Sequence, residues 1–442
     1  MRINIIGAGL AGAEACWYLS KKGYDINLYE MRPVKMTPAH KSDKFGELVC
    51  SNSLKSDSLE NACGILKYEM EMLGSLVIEA AKANRVEAGG CLAVDREGYS
   101  DYITKKIKEL KNVNIIYGEI EKIDTSVPTI IATGPLTSDS LCNEIKELFG
   151  MDDFYFFDAQ APIIYADSID YNKVYLKSRY DKGIASYYNC PMTKEEFDRF
   201  YDALIHAECV EEKEFELKVF EGCMPVEIMA KRGPQTLTFG PMKPVGLKTP
   251  DGGKPYAVVQ LRQDDASKTM YNIVGFQTHL KFGEQKRVFQ MIPGLENVRF
   301  AKYGRMHKNT YINAPKILNP TFQTKKYPNI FFAGQISGVE GYVESAASGI
   351  YAAINMDRYL RGKELHVFPR TTSIGALSLY ICNASEKDFQ PMSANFGIME
   401  DLNFPHKKAD RKMLYGKRAI EVMEKEIGEL NDWWRSYFRV FK

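Results

Sequence analysis

The 442-residue chain carries 58 lysines and arginines against 57 acidic residues, a formal net charge of +1, and 45% of its residues are hydrophobic. This composition excludes a disordered chain and a uniformly basic nucleic-acid coat, and it leaves room for a local basic patch. The length exceeds one ordinary hydrophobic core, so we expect two or three domains. No apolar run is long enough to span a membrane and no signal-like segment opens the chain, so we expect a soluble, cytoplasmic protein without a membrane partner.

The nine cysteines are scattered, odd in number and free of any C-x-x-C pair. This pattern favours a reducing compartment and argues against zinc-ribbon or thioredoxin-like chemistry. We therefore predict no metal site.

A dinucleotide-binding turn opens the chain. An apolar run at residues 2–6 predicts a strand, the sequence Gly7-Ala8-Gly9-Leu10-Ala11-Gly12 follows at once, and residues 13–20 predict a helix. In this order the first glycine permits a tight turn, the second lets backbone approach a pyrophosphate, and the third lets helix and strand pack closely. Gly7, Gly9 and Gly12 are therefore predicted to hold the pyrophosphate of FAD at the N-terminus of the helix.

A carboxylate follows at the spacing expected for a ribose contact. The second predicted strand, residues 24–29, ends at Glu30, 18 residues after Gly12. In this class of fold an acidic residue about 20 residues beyond the glycines accepts hydrogen bonds from a ribose hydroxyl. Glu30 is therefore predicted to complete the dinucleotide site.

A second glycine-rich turn lies far along the chain. The apolar run at residues 329–334 predicts a strand, and a helix rich in small residues is predicted at 344–351. A strand, a glycine turn and a helix in this order present a second helix N-terminus to a flavin or a phosphate. The residues predicted to contact the cofactor here are Gly334, Gln335, Gly341 and Tyr342.

The separation of these two motifs divides the chain. We predict an α/β fold in which a Rossmann-like FAD-binding domain is formed by residues 1–150 and 300–365. A mixed α+β insertion domain for the substrate occupies residues 151–299. Residues 366–442 form a helical C-terminal region, because apolar residues recur at helical spacing between positions 409 and 430.

Two cysteines lie in turn-like sequence rather than inside apolar runs. Cys50 belongs to residues 46–53 and Cys223 to residues 221–227, each with glycine or asparagine close by. Either thiol is a candidate nucleophile, and the alternative is a structural thiol.

The C-terminal region contains a cluster of cations, Lys407, Lys408, Arg411 and Lys412. Such a patch fits phosphate contact without base recognition, and we predict that it binds RNA. A solvated helix face is an equally good interpretation of the same pattern.

Taken together, these motifs resemble the TrmFO family of folate- and FAD-dependent tRNA (uracil-5-)-methyltransferases. The resemblance runs from the first strand to Asn403 and includes Glu221-Gly222-Cys223-Met224-Pro225-Val226-Glu227. Besides the first glycine turn, the other matching blocks are residues 47–53, 88–90, 92–96, 239–246, 274–278, 285–289, 293–297, 339–347, 390–392 and 395–397. Thr238, Cys91 and Glu87 stand where the family has arginine, alanine and proline, and these departures spare both cysteines.

The resemblance implies methylation of C5 of a uridine in structured RNA, most directly the T-loop uridine of tRNA. It implies methylenetetrahydrofolate as the carbon donor, reduced FAD as methylene carrier and reductant, and NAD(P)H as the source of reducing equivalents. It also implies that Cys223 is the nucleophile at uracil C6, that Cys50 supports the reaction near the flavin, and that Tyr342 lies beside the isoalloxazine. A cysteine suits this chemistry because uracil C5 becomes nucleophilic once a thiolate has added to C6.

Two alternatives stay open from the sequence. The first is the same chemistry on a uridine of 23S ribosomal RNA, as in a relative from wall-less bacteria. The second is a flavin-dependent NAD(P)H oxidoreductase, which would share the FAD site but need neither Cys223, folate nor RNA. Methyl transfer from labelled folate to RNA separates the methyltransferases from the oxidoreductase.

Overall fold

The computed structural model describes residues 2–151, 155–181, 185–210, 224–387 and 389–430. The predicted nucleophile Cys223 lies outside the described residues, as does the end of the C-terminal region after position 430. Among the residues that the structure describes, no helix combines the length and the apolar character needed to cross a membrane.

A five-stranded parallel sheet forms the first layer, with the strand order β16-β7-β1-β2-β6. Its strands are β1 (Arg2–Ile6), β2 (Asp25–Glu30), β6 (Val113–Tyr117), β7 (Thr129–Ile131) and β16 (Ile330–Phe332). Short apolar runs suit a sheet that is covered on both faces. Because β16 pairs with β7, a strand from beyond the insertion joins the strands from the start of the chain in one Rossmann-like sheet, as predicted for the fold class.

Two helices that follow glycine turns pack tightly on each other beside this sheet. They are α1 (Leu10–Lys21) and α11 (Tyr342–Leu360). A Cβ atom on Gly349 would lie 2.2 Å from the carbonyl oxygen of Ala11, so only glycine permits this helix contact. The close packing fixes the N-termini of both helices relative to the sheet.

A six-stranded antiparallel sheet forms the second layer, with the order β10-β11-β12-β13-β9-β14. Its strands are β9 (Ile163–Tyr165), β10 (Tyr175–Leu176), β11 (Tyr187–Met192), β12 (Ala257–Gln263), β13 (Met270–Ile273) and β14 (Phe300–Lys302). One face packs with α6 (Lys194–Ile205), α7 (Val226–Lys231), α8 (Pro234–Phe239) and α9 (Phe282–Phe289) around a hydrophobic core of its own. The sheet continues to residue 302, slightly beyond the predicted end of the insertion at 299.

The remaining elements surround the first sheet. The other strands are β3 (Ser53–Ser56), β4 (Arg85–Val86) and β5 (Cys91–Val94), which form one small sheet, and β8 (Tyr155–Ala159) and β15 (Met306–Thr310), which form another. The other helices are α2 (Ala62–Met72), α3 (Leu76–Ala83), α4 (Arg96–Lys108), α5 (Asp139–Phe149), α10 (Ala314–Ile317), α12 (Ser373–Asn383) and α13 (Arg411–Leu430). Helices α12 and α13 contribute buried side chains to the same core as the parallel sheet, so the predicted helical C-terminal region packs on the first layer. The limits of the domains stay a prediction.

A buried carboxylate joins α2 to the N-terminus of α12. Glu69 is fully buried, and its two oxygens accept hydrogen bonds from the backbone N–H groups of Ser373 (2.7 Å) and Ile374 (2.8 Å). Burial raises the pKa of Glu69 to about 8, although both N–H groups act in the opposite direction.

This carboxylate should make folding stability depend on pH. Its folded pKa lies above the unfolded value of about 4.3, so folding takes up a proton between the two values. The contribution of Glu69 to the free energy of unfolding is complete below about pH 4.3 and falls, by up to about 1.4 kcal/mol per pH unit, until about pH 8. Glu69→Gln cannot ionise and should flatten this decline in urea unfolding curves, whereas Glu71→Gln, on the exposed side of the same helix, should keep it. An unchanged slope in Glu69→Gln would contradict the assignment.

Candidate active site

A pocket lies at the carboxyl ends of the parallel strands, where the strand order reverses. β1 pairs with β2 on one side and with β7 on the other, and ligands of open α/β sheets bind at such a switch point. The residues that line the pocket include Gly7, Gly9, Leu10, Ala11, Glu30, Arg32, His40, Glu47, Val49, residues 132–138, Gly334, Gln335, Tyr342 and Ser345.

The first glycine turn is shaped for a group lying against the backbone. Gly7 has φ +101°, and a Cβ there would lie 2.6 Å from the carbonyl oxygen of Ala132. A Cβ on Gly12 would lie 1.8 Å from the carbonyl oxygen of Gly7, whereas a Cβ on Gly9 would meet no protein atom within 4 Å. Gly9 therefore leaves open space above the N-terminus of α1, where no side chain caps the helix. A pyrophosphate fits this place, because the first N–H groups of a helix attract anions.

Glu30 lies at the edge of this pocket and is largely buried. Its Oε2 accepts a hydrogen bond from the backbone N–H of Ala8 (3.0 Å), and its Oε1 accepts two from Arg32, from the backbone N–H (3.1 Å) and from Nε (2.9 Å). Burial acts to raise the pKa of this carboxyl, but the Arg32 guanidinium and the N–H donors outweigh it and leave the pKa lowered. An ionised carboxylate has about four acceptor positions, so one remains for a ribose hydroxyl. The ribose contact of Glu30 stays a prediction.

The second glycine turn borders the same pocket. Gly334 and Gln335 line it, and the Gln335 side chain donates to the Glu340 carboxylate at 2.5 Å. Gly341 precedes α11 with φ +121° and does not line the pocket; a Cβ there would lie 2.2 Å from Oε2 of Glu344. The structure therefore brings three of the four predicted residues of this turn, Gly334, Gln335 and Tyr342, to the pocket wall.

Tyr342 connects the pocket to the first candidate cysteine. Its hydroxyl oxygen accepts a hydrogen bond of 2.6 Å from the backbone N–H of Cys50, and the neighbouring residue Val49 lines the pocket itself. Cys50 is half-buried. The Cys50 loop, residues 46–53, is therefore placed beside the cofactor pocket although it lies about 290 residues from Tyr342 in the chain.

Arg96, which no sequence motif marks apart from the family block at residues 92–96, holds the Cys50 loop. Arg96 donates to the carbonyl oxygens of Leu48 (2.7 Å) and Cys50 (2.6 Å). Its other donors pair with both oxygens of the Asp264 carboxylate, at 2.9 and 3.0 Å. Since Asp264 follows β12, Arg96 joins the loop to the antiparallel sheet.

A row of residues across that sheet completes the support. Pairing places Lys302, Ile163, Asn272, Arg262 and Tyr187 side by side on five neighbouring strands. On the face opposite its own hydrophobic core, the second layer thus presents a row whose members other than Ile163 carry polar groups.

Three members of this row donate hydrogen bonds to residues outside the antiparallel sheet, two of them in the Cys50 loop. Arg262 donates to the hydroxyl of Ser51 at 2.6 Å, and Lys302 donates to the carbonyl oxygen of Val49 at 2.8 Å. Tyr187 donates to the carbonyl oxygen of Ala88 at 3.4 Å. Burial lowers the pKa of Lys302 to about 8, and the nearby charges of Arg96 and Lys41 act in the same direction. The sequence of one strand does not predict this row, because the row is formed only when five strands pair in register.

The described residues on either side of the stretch that contains Cys223 both bond to one segment of the second layer. Before it, the N–H of Val210 donates to the carbonyl oxygen of His279 (2.9 Å); after it, the N–H of Val226 donates to the carbonyl oxygen of Gln277 (2.7 Å). Glu227 is buried and accepts hydrogen bonds from the Thr278 hydroxyl and from His279. Glu227 therefore anchors the start of α7 to residues 278–279.

His279 also lies close to Cys209, and with Glu227 these side chains place three potential metal ligands within 4.8 Å of one another. Burial acts to lower the pKa of His279, but hydrogen bonds with Cys209 and Glu227 outweigh it and raise the pKa to about 9. The prediction of no metal site rested on C-x-x-C spacing, which does not reveal a cluster assembled from three separate segments.

The predicted RNA-binding cations lie elsewhere. Lys407, Lys408, Arg411 and Lys412 are exposed around the start of α13, and none of them lines the pocket. Arg411 lies 3.5 Å from the Asp401 carboxylate, so part of its charge is balanced locally.

Comparison with known proteins agrees with this architecture. The model of the family described as glucose inhibited division protein A (GIDA) matches residues 2–364. Proteins named methylenetetrahydrofolate–tRNA-(uracil-5-)-methyltransferase TrmFO from Bacillus pumilus and Bacillus subtilis are each 59% identical over 425 residues, which cover 96% of this chain and 98% of theirs. The solved structure of Aquifex aeolicus GidA superposes with a TM-score of 0.70 at 16% identity, over 99% of this chain and 75% of that one, and so supports the fold.

The parallel sheet, the two glycine turns and the pocket between them define a dinucleotide-binding flavoprotein fold of the GidA type. Within that class the chain belongs to the TrmFO family, as its identity to the Bacillus relatives along nearly its whole length shows. The family resemblance inferred from the sequence blocks is thereby confirmed.

Proposed function

We propose that this protein methylates C5 of a uridine in tRNA, with methylenetetrahydrofolate as carbon donor and FAD as cofactor. The observation that carries the proposal is the 59% identity, over 96% of the chain, to relatives named for this activity. The pocket supports it independently, because it offers a phosphate-binding helix start, an acidic ribose partner and a cysteine loop at one place.

The residues present fit FAD. Gly9 and the N-terminus of α1 would receive the pyrophosphate, Glu30 a ribose hydroxyl, and Tyr342, next to the Cys50 loop, would border the flavin ring. FAD, when bound and reduced by NAD(P)H, supplies the carrier and reductant chemistry that converts a one-carbon unit to a methyl group. The protein supplies position: Arg96, Arg262 and Lys302 hold the Cys50 loop beside the pocket.

Cys223 is proposed as the nucleophile toward the uridine. Its thiolate forms a bond to C6, and the electron pair of the C5–C6 double bond moves toward the C4 carbonyl oxygen, which makes C5 nucleophilic. After C5 has bonded to the one-carbon unit, loss of the C5 proton expels the thiolate by cleavage of the C6–S bond and restores the C5–C6 double bond. Cleavage of the bond between the one-carbon unit and its carrier, with two electrons and a proton that reduced FAD would supply, completes the methyl group. Cys50 supports this reaction from its place beside Tyr342.

The proposal is tested by incubating the FAD-loaded protein with NADPH, methylenetetrahydrofolate labelled in its one-carbon unit, and unmodified tRNA. Label should appear in 5-methyluridine of the tRNA, at a position located by mass mapping. NAD(P)H oxidation without label in RNA would support the oxidoreductase alternative instead. Label in ribosomal RNA alone, from cells lacking this protein, would move the target to 23S ribosomal RNA. We place the reaction in the cytoplasm, where tRNA is the available substrate.

The exposed cations of the C-terminal region give a further prediction. Lys407, Lys408, Arg411 and Lys412 are proposed to contact RNA phosphates without reading bases. Changing all four to glutamine should weaken tRNA binding and reduce the slope of log affinity against log salt by about 3, since each lost phosphate contact removes about 0.7–0.9. Filter binding at several salt concentrations measures this slope. An unchanged slope would assign these residues to a solvated helix face.

A further inference from the structure

A group of metal-ligating side chains lies in the second layer, outside the cofactor pocket. Cys209, Glu227 and His279 each place one potential ligand atom within 4.8 Å of those of the other two. Glu227 and His279 are buried and Cys209 is half-buried, so solvent reaches the group from the side of the thiol. Among the residues that the structure describes, no other set of three histidine, cysteine, aspartate or glutamate side chains comes close enough to hold an ion.

Backbone hydrogen bonds, and not the side chains alone, bring these three residues together. Cys209 pairs with Leu280 in an antiparallel bridge. The N–H of Val210 donates to the carbonyl oxygen of His279 at 2.9 Å, and the N–H of His279 donates to Oε1 of Glu227 at 2.8 Å. The fold therefore sets the arrangement of the group in advance, as a metal site requires.

The Glu227 carboxylate is oriented from two sides. The Thr278 hydroxyl donates to its Oε2 at 2.9 Å, and its Oε1 is hydrogen-bonded to Nδ1 of His279. Carboxylates that bind metals in proteins are themselves hydrogen-bonded in this way, and buried charges are either paired or coordinate a metal. An ion would take the place of the proton between Glu227 and His279.

The dimensions of the group suit a small cation. Zn²⁺ lies about 2.0–2.2 Å from nitrogen and oxygen ligands and about 2.3 Å from sulfur, so the ligand atoms of a tetrahedral site are about 3.3–3.8 Å apart. Because the three ligand atoms already lie within 4.8 Å of one another, side-chain shifts of about 1 Å bring them to these distances.

The donor set identifies the class of metal. A thiolate, an imidazole and a carboxylate together suit Zn²⁺, whereas Mg²⁺ and Ca²⁺ take oxygen ligands. Three protein ligands leave the fourth tetrahedral position for water, which the half-buried thiol admits.

The group also joins the two sides of the Cys223 stretch. Cys209 comes 14 residues before Cys223 in the sequence, and Glu227 comes 4 residues after it. An ion bound by both side chains would fasten these two flanks to each other and to His279. A metal clip that closes a chain segment in this way limits the conformational freedom of the segment.

We propose that Cys209, Glu227 and His279 bind one Zn²⁺, with water as the fourth ligand, and that this ion fixes the flanks of the Cys223 stretch to the second layer. The expectation of no metal site considered ligand spacing along the chain, whereas three separate segments build this site. The proposal does not depend on the methyltransferase function, because the ion holds chain segments and need not contact RNA, folate or FAD.

Co²⁺ is the probe for this site, because it replaces Zn²⁺ in tetrahedral sites and its complex with a thiolate is coloured. The untagged, FAD-loaded protein is reduced, dialysed against a chelator and titrated with Co²⁺. Wild-type protein should bind one Co²⁺ per chain, with absorbance at wavelengths beyond the flavin bands, and one equivalent of Zn²⁺ should abolish this absorbance. Wild-type protein that gives no such bands would overturn the proposal.

Variants assign the ion to these residues. Cys209→Ser should lose the thiolate–cobalt absorbance, and both Cys209→Ser and His279→Gln should weaken Zn²⁺ binding by more than about 100-fold, because each removes a ligand. Thr278→Val keeps all three ligands and removes only the hydrogen bond to Glu227, so it should weaken binding by about 10- to 100-fold.

Cys142→Ser is the matched control, since it removes a half-buried thiol of α5, in the other layer, and should bind both metals like the wild type. The FAD content of each variant reports whether it has folded. Wild-type affinity for Zn²⁺ in Cys209→Ser or in His279→Gln would overturn the site. Protein that binds Co²⁺ as expected but does not methylate tRNA would overturn the proposed function and support the metal site.

Discussion

Cys223→Ala should form no covalent adduct with RNA that contains 5-fluorouridine, while it keeps its FAD and oxidises NAD(P)H. A thiolate that adds to C6 of this base remains attached, because fluorine at C5 cannot leave as the proton does. Loss of the nucleophile removes the adduct and should lower methylation at least ~10³-fold, since nucleophile removal eliminates the covalent route rather than weakening one contact. Denaturing gel electrophoresis of labelled RNA measures the adduct.

Val210 and Val226, the described residues on either side of the Cys223 stretch, bond to a segment that lies near the support of the Cys50 loop. Both ends of the stretch bond to residues 277–279, and the backbone of Gly304 packs against Thr278 there. Lys302, two residues before Gly304, bonds to Val49 of the Cys50 loop. The described residues that flank Cys223 in the chain are therefore linked, through residues 277–279 and 302–304, to the part of the antiparallel sheet that supports the Cys50 loop.

Cys50→Ala separates the two roles. It should impair turnover but still trap 5-fluorouridine RNA, because the adduct-forming thiol is intact. Cys142→Ala, which removes a half-buried thiol of α5, is the control and should retain both activities. An adduct that persists in Cys223→Ala and disappears in Cys50→Ala would exchange the two assignments.

The sequence predicts the cofactor region well because local patterns determine it. The first glycine turn, Glu30 at the end of β2 and the turn at Gly334 each depend on a strand followed directly by a turn, and the structure brings them to one pocket. Periodicity also predicts α13, where one apolar face is repeated over several turns.

The support of the Cys50 loop could not be predicted from the sequence. Arg96, Arg262 and Lys302 come from a helix and two strands that are far apart in the chain, and only sheet register brings them to one loop. Arg262 lies in an apolar strand, where a lone charged residue has no pattern to mark it.

Gly9→Val should abolish FAD binding without damage to the fold. Gly9 has φ −70° and ψ −166°, which valine adopts without strain, and a Cβ there would meet no protein atom within 4 Å. The added side chain would instead occupy the open space above the N-terminus of α1, where the pyrophosphate is proposed to bind. At the N-cap position the change from glycine to valine costs at most about 1 kcal/mol of helix stability.

Gly12→Val is the contrasting variant and makes the test specific. Its Cβ would lie 1.8 Å from the carbonyl oxygen of Gly7, so the turn itself must move and the free energy of unfolding should fall by several kcal/mol, on the scale of severe overpacking. Visible flavin absorbance gives the FAD content of each purified variant, and urea unfolding of the FAD-free forms gives stability. We expect Gly9→Val to be colourless with near wild-type apo stability, and Gly12→Val to lose both. A Gly9→Val protein that retains stoichiometric FAD would show that the pyrophosphate binds elsewhere.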